Sequence, residues 1–182
     1  CIVTDDAMIL EKVKDSRLLG VQKDSEKRYA GDRSWDFDVS AQGWRYHMSN
    51  IMAAIGLAQL EKYPEMAKKR QSLARLYDHF FADHKMINFI PHDYSDVVPH
   101  IYVVRIPGMQ NRKLIQEKML KLGIQTGIHY QPNHILSLYH EKNILSFPVI
   151  DSVFPELLSL PLHPGLNYKD VSYISKSLLD LV

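Results

Sequence analysis

Hydrophobic positions near the start of the chain change period within a few residues. Ile2 and Val3 stand side by side, as in a buried strand, and Ile9, Leu10 and Val13 then recur at helical spacing behind Asp5 and Asp6, which supply an N-cap. The helix is expected to continue to Leu18 and Leu19 and to stop at Gly20. Residues 21–32 are polar and charged and read as a surface loop. Beyond them Trp35, Phe37 and Val39 alternate with Asp36, Asp38 and Ser40, the period of a half-buried extended segment whose aromatic side needs a cover.

Ser49 is placed to cap a helix that is apolar nearly all round, with Ile51, Met52, Ala53, Ala54, Ile55, Leu57, Ala58 and Leu60. Such a helix belongs in a core or a subunit interface. Tyr63 and Pro64 are expected to break it, with Pro64 opening the next helix. That helix has one apolar stripe, Met66, Leu73, Tyr77, Phe80 and Phe81, while Lys68, Lys69, Arg70 and Arg75 face solvent. The basic run is therefore a helix surface, not a nucleic-acid patch.

The remainder reads as a compact α+β unit. Residues 97–106 form a strand candidate. Asn111 caps a helix carrying Leu114, Ile115, Met119 and Leu122, and Gly123 ends it. Residues 124–130 would return as a second strand, and residues 131–148, with Pro132 and Pro148, suggest a functional loop. Residues 156–159 are expected to make a short helical turn. Residues 168–181 close the chain as an amphipathic helix with Val171, Ile174, Leu178 and Leu181 inward.

Composition narrows the class. With 46% apolar and 24% charged residues, the 182-residue chain has the make-up of a globular protein and not of a disordered or collagenous one. Its 22 basic and 21 acidic residues leave no field to steer it onto nucleic acid or an anionic membrane. No apolar run approaches the ~20 residues of a membrane span, and no signal peptide is expected. The lone cysteine, Cys1, has no internal disulfide partner, which fits a reducing cytoplasm. A chain opening on Cys1 in mid-strand is expected to start at an internal break.

Among candidate chemistries, GxGxxG, P-loop, CxxC and HExxH motifs are absent. His129, His134 and His140 invite a metal, but none of the nine histidines pairs at a familiar helical ligand spacing, so no metal is expected. Asp32, Asp36 and Asp38 lack the glycine and distal glutamate of an EF-hand. The run Gly43-Trp44-Arg45-Tyr46-His47-Met48-Ser49-Asn50 carries more. A glycine turn followed by alternating aromatic and cationic residues brings Arg45 and His47 to a helix entrance, which outlines a phosphate or carboxylate site. The plainer alternative makes Arg45 a surface residue and the aromatics packing.

The block GWRYHMSNIMAAIGLAQLEKY resembles the GxNxRMsexqAAlGlaQL motif of the DegT/DnrJ/StrS family of pyridoxal-phosphate-dependent sugar aminotransferases. In the family's order, CIVTDD resembles the stretch just after the Schiff-base lysine segment, GIQTGIHYQPNH the GIxxxxHYxPlH segment, and LSLPLHPGLNYKDVSYI the terminal sLPlyPgLsxedvxxi. The resemblance covers nearly the whole chain. It implies the α/β fold of the C-terminal part of a fold-type I transferase, with residues 1–62 the end of the large PLP-binding domain and residues 63–182 the interdomain helix and small α+β domain. It further implies a cytoplasmic homodimer, with the active site shared between subunits, that moves an amino group from glutamate to a keto group of a nucleotide-linked sugar, with pyridoxal 5'-phosphate (PLP) as cofactor.

The family's Schiff-base lysine would lie before Cys1, so no catalytic residue is assigned within the chain, which is expected to be inactive alone. Arg45 stands where the family has an asparagine that reaches the partner subunit's cofactor phosphate, and could serve as a bidentate fork. His47 replaces the usual arginine, putting a carboxylate clamp there in doubt. Both are assigned to the cofactor. Tyr130 and His134 match the segment that lines the active-site mouth and are assigned to the substrate; a hydrogen-bonded tyrosine and a loop histidine are the plainer alternative. A sugar dehydratase of the same family, in which histidine replaces the lysine, and a non-catalytic dimerising fragment are the rival functions.

Overall fold

A computed structural model describes residues 2–22, 37–140 and 146–182, apart from the His140 side chain. It comprises two compact units, Cys1–Leu60 and Glu61–Val182.

In the first unit, helix α1 (Ala7–Ser16) starts where Asp6 accepts the backbone N–H groups of Met8 and Ile9 at 2.8 and 3.3 Å. It ends at Arg17, before the expected Leu18-Leu19, because Leu19 and Gly20 take positive φ (63° and 77°) and turn the chain back. The returning segment lies against Gly43, where any Cβ would collide with the Gly20 backbone, so position 43 requires glycine. Leu18 and Arg45 then bridge, and so do Val21 and Val39. Ile2 and Val3 do not form the expected strand: both are exposed, and among the described residues no strand pairs with their backbone. Phe37 and Val39 are likewise exposed, while Trp35 and most of the 21–32 loop lie outside the described residues.

Helix α2 (Asn50–Phe81) corrects the expected break, since it runs through Pro64. An interior proline removes a hydrogen bond at a cost of ~3 kcal/mol. Here residues 60–65 are all exposed, where water reaches the freed Leu60 carbonyl, and burial of Ala67, Leu73, Ala74, Tyr77 and Phe81 further along offsets the loss. The earlier turns present Ile51, Met52, Ile55, Leu57 and Leu60 to solvent, each more than half exposed.

In the second unit, β1 (Asn88–Phe89), β2 (Tyr102–Arg105) and β3 (Leu157–Leu160) form an antiparallel sheet in that order, with Tyr102 opposite Leu160 and Arg105 opposite Leu157. The strand expected over 97–106 thus narrows to its last part. Residues 156–159 are not a helical turn but mostly β3, because pairing along the whole of β2 buries Leu158 and Leu160. Residues 124–130 are not a full strand either: they meet β3 at the Gly127–Ser159 bridge, through two N–H···O bonds of 2.9 Å.

Helix α3 (Arg112–Lys121) is capped by the Asn111 side chain, which accepts from Leu114 N–H at 3.0 Å, and Gly123 follows it at φ 77°. Helix α4 (Ser137–His140) and helix α5 (Pro148–Val153) are short, and helix α6 (Tyr168–Leu179) begins with a reciprocal Asn167–Asp170 capping box. The core joins Tyr77 and Phe81 of α2, Tyr102 and Val104 of β2, Met119 of α3, Leu158 and Leu160 of β3, and Val171, Ile174 and Leu178 of α6.

Polar groups pin this core. Arg70, expected to be solvated, donates instead to the carbonyls of His100 and Leu162 at 3.2 and 2.9 Å. Tyr102 donates to Asp78 at 2.7 Å, and Tyr77 to the Pro161 carbonyl at 2.8 Å. Burial raises the Asp78 carboxyl above the usual carboxylate range despite the tyrosine hydrogen bonds, and burial with the Asp78 charge pushes Tyr94 up to about 12.

Candidate active site

Arg45 and His47 belong to the first unit. The Leu18 bridge fixes the Arg45 backbone, with Leu19 N–H donating to the Trp44 carbonyl at 3.0 Å and Tyr46 N–H to the Arg17 carbonyl at 2.9 Å. The Trp44 and Tyr46 rings lie parallel at 6.3 Å with 6° between planes, as expected of alternate residues on one side of an extended backbone. Arg45 and His47 occupy the other parity, and both are exposed. Two residues beyond His47, the Ser49 hydroxyl accepts Met52 N–H at 3.3 Å and the Ser49 carbonyl accepts Ala53 N–H at 2.9 Å, opening α2. A guanidinium, an imidazole and a helix start within a few residues fit a phosphate, the anionic end of PLP.

Tyr130 and His134 belong to the second unit. Tyr130 is 74% exposed, and its ring meets His129 edge-on at 5.0 Å. Close by in sequence, His100, Gln125, Thr126, His129 and Ser159 help line a cavity of about 370 Å³, and the Thr126 hydroxyl is buried without a partner among the described residues. A buried hydroxyl left unpaired is costly, so it marks a place where a polar ligand or water would be held.

His134 lies in a short 3₁₀ turn, Asn133–Ile135, behind Pro132. Its Nε2 is 2.8 Å from Asp151 Oδ1 in α5, and its ring lies 4.9 Å from that of Phe147. The sequence did not reveal Asp151 as a partner, since nothing at a separation of 17 residues pairs the two. The structure therefore brings together Tyr130 with His129, and His134 with Asp151. Among the described residues no group of three or more His, Cys, Asp and Glu is disposed to hold a metal, and no helix is long and apolar enough to cross a membrane.

The fold and the Arg45-to-Leu60 block define a class, the sugar aminotransferases built on the fold-type I α/β scaffold, of which this chain has the C-terminal part. The chain belongs to the DegT/DnrJ/EryC1/StrS aminotransferase family, whose profile matches residues 1–179. A UDP-4-amino-4,6-dideoxy-N-acetyl-beta-L-altrosamine transaminase of Campylobacter jejuni is 27% identical over all of this chain and 47% of its own length. PseC of Helicobacter pylori, an aminotransferase in pseudaminic acid biosynthesis, matches 98% of this chain and 47% of its own, with 28% identity and a TM-score of 0.83. A putative sugar aminotransferase of Streptococcus pneumoniae in its PMP form matches 96% of this chain and 45% of its own at 28% identity and the same TM-score of 0.83, and it is also known in a PLP form. The chain thus spans about half the length of the relatives it matches.

Proposed function

We propose that this chain supplies the C-terminal half of a PLP-dependent aminotransferase that moves an amino group from glutamate to a nucleotide-linked keto-deoxysugar. The observation that carries the reading is the family motif set in place on the fold: Arg45 and His47 stand exposed at the start of α2, with the Arg45 backbone bridged to Leu18. Arg45 and His47 hold the cofactor phosphate, and Tyr130 and His134 face the sugar at the site's mouth. Bound PLP supplies an electron sink for breaking bonds at the amino-bearing carbon. The lysine-bearing half lies outside these residues, because none of the lysines sits in the family's lysine context and the chain accounts for under half of its solved relatives.

Glutamate tests the donor assignment. Adding it to the assembled PLP-loaded enzyme without sugar is expected to bleach the visible cofactor band and release one 2-oxoglutarate per site. A band that glutamate leaves unchanged would refute glutamate as donor.

The exposed apolar turns of α2 are part of the same reading. Leaving Ile51, Met52, Ile55, Leu57 and Leu60 in water forgoes roughly 1.5–3 kcal/mol for each side chain that could be fully buried. A second copy of the enzyme covers them and completes the site. Sedimentation of the assembled enzyme at micromolar concentration is expected to give a dimer, and charge placed at Ile55 and Leu57 to dissociate it. A monomeric wild type would contradict this assignment.

A further inference from the structure

His134 is held at one ring nitrogen by a carboxylate, and that contact determines what the other nitrogen can do. Asp151 Oδ1 lies 2.8 Å from His134 Nε2, within ordinary hydrogen-bond range. An ionised carboxylate accepts hydrogen bonds and has no proton to give, so the proton between the two belongs to Nε2. In the neutral ring this leaves Nδ1 bare, as an acceptor. The imidazole is further confined by the Phe147 ring, at 4.9 Å and 30°. Its side chain is 16% exposed against 56% for Asp151, so the partly buried imidazole is anchored to a carboxylate at the surface. Both partners of the imidazole flank the start of α5, where Pro148 at the first helical position sets the turn that carries Asp151.

We infer that Asp151 is a positioning residue that fixes His134 as the Nε2–H tautomer, so that His134 meets the sugar as a hydrogen-bond acceptor, through Nδ1, for a hydroxyl group. The inference rests on the proposed substrate-facing role of His134 and adds the polarity of its contact. A sugar hydroxyl donates to such a nitrogen, whereas a carbonyl or phosphate oxygen, which only accepts, is not recognised by it. Histidine at this position would then discriminate a hydroxyl from a keto group on the carbon it faces. The same logic governs many histidines whose free nitrogen is set by a carboxylate on the other.

The test combines two readouts. In the ¹⁵N-histidine-labelled chain, long-range ¹H–¹⁵N correlation at pH 8 is expected to show His134 protonated at Nε2 only, and Asp151→Ala to let the tautomers mix. In the assembled enzyme with a nucleotide-linked keto-sugar as probe, Asp151→Ala is expected to raise the sugar KM about three- to tenfold, the loss of one hydrogen bond, with bound PLP and the glutamate half-reaction unchanged. Asp151→Asn, which keeps an acceptor oxygen and the side chain's shape, is expected to fall between wild type and Asp151→Ala in both readouts. His134 protonated at Nδ1, or at both nitrogens, would overturn the inference. A raised KM in His134→Ala with none in Asp151→Ala would overturn the positioning role alone. Unchanged KM in both would overturn the substrate-facing role on which it rests.

Discussion

Replacing Phe81 with alanine is expected to cost about 3–5 kcal/mol of stability, the range for removing a large aromatic side chain from a packed core. Phe81 is 1% exposed at the end of α2, with its ring centroid 6.2 Å from that of Tyr77 and 6.5 Å from that of Tyr102. Those rings are tied at their hydroxyls, Tyr77 to the Pro161 carbonyl and Tyr102 to Asp78, so they are not free to collapse into the cavity. Met86, an apolar residue of the same unit that is 54% exposed, provides the control: Met86→Ala is expected to stay within about 0.5 kcal/mol. Urea unfolding of the two variants measures the difference. Similar midpoints would mean that Phe81 does not pack as described.

The second large effect is on the cofactor. Arg45→Ala in the assembled enzyme is expected to weaken PLP binding by about 1.5–3 kcal/mol, the value of a hydrogen bond to a charged group, or roughly 10- to 150-fold in Kd. Arg45→Lys keeps the charge and loses the planar fork, so it should lie between wild type and Arg45→Ala. The backbone of Arg45 is held by the Leu18 bridge whichever side chain it carries, so a change in affinity reports on the guanidinium itself. Equilibrium dialysis against PLP decides it. Equal affinity in all three proteins would return Arg45 to the surface role that its exposure also allows.

What was legible in the sequence was local or carried by long motifs. Asp6, Ser49 and Asn111 cap the helices that follow them, and Gly123 takes the left-handed conformation after α3, because caps act within three or four residues. The Gly43-to-Tyr63 block identified the family, which the match over residues 1–179 bears out, and with it the fold. What escaped depends on distant partners. Residues 156–159 read as a helical turn until β2 pairs with the last three of them. Pro64 reads as a break until the packing of later turns of α2 is counted. Arg45, His47, Tyr130 and His134 were assigned through motifs. Asp151 was not, since its role exists only where α5 brings it to His134.

Amino transfer is read directly by counting its two products. The assembled PLP-loaded enzyme is incubated with glutamate, with and without a nucleotide-linked keto-deoxysugar, and 2-oxoglutarate is counted against aminated sugar. Amino transfer predicts a single equivalent per site without the sugar, and with it continuous release matched one to one by amino-sugar. Release that stops at one equivalent whether or not the keto-sugar is present, or loss of a sugar hydroxyl without incorporation of nitrogen, would contradict it.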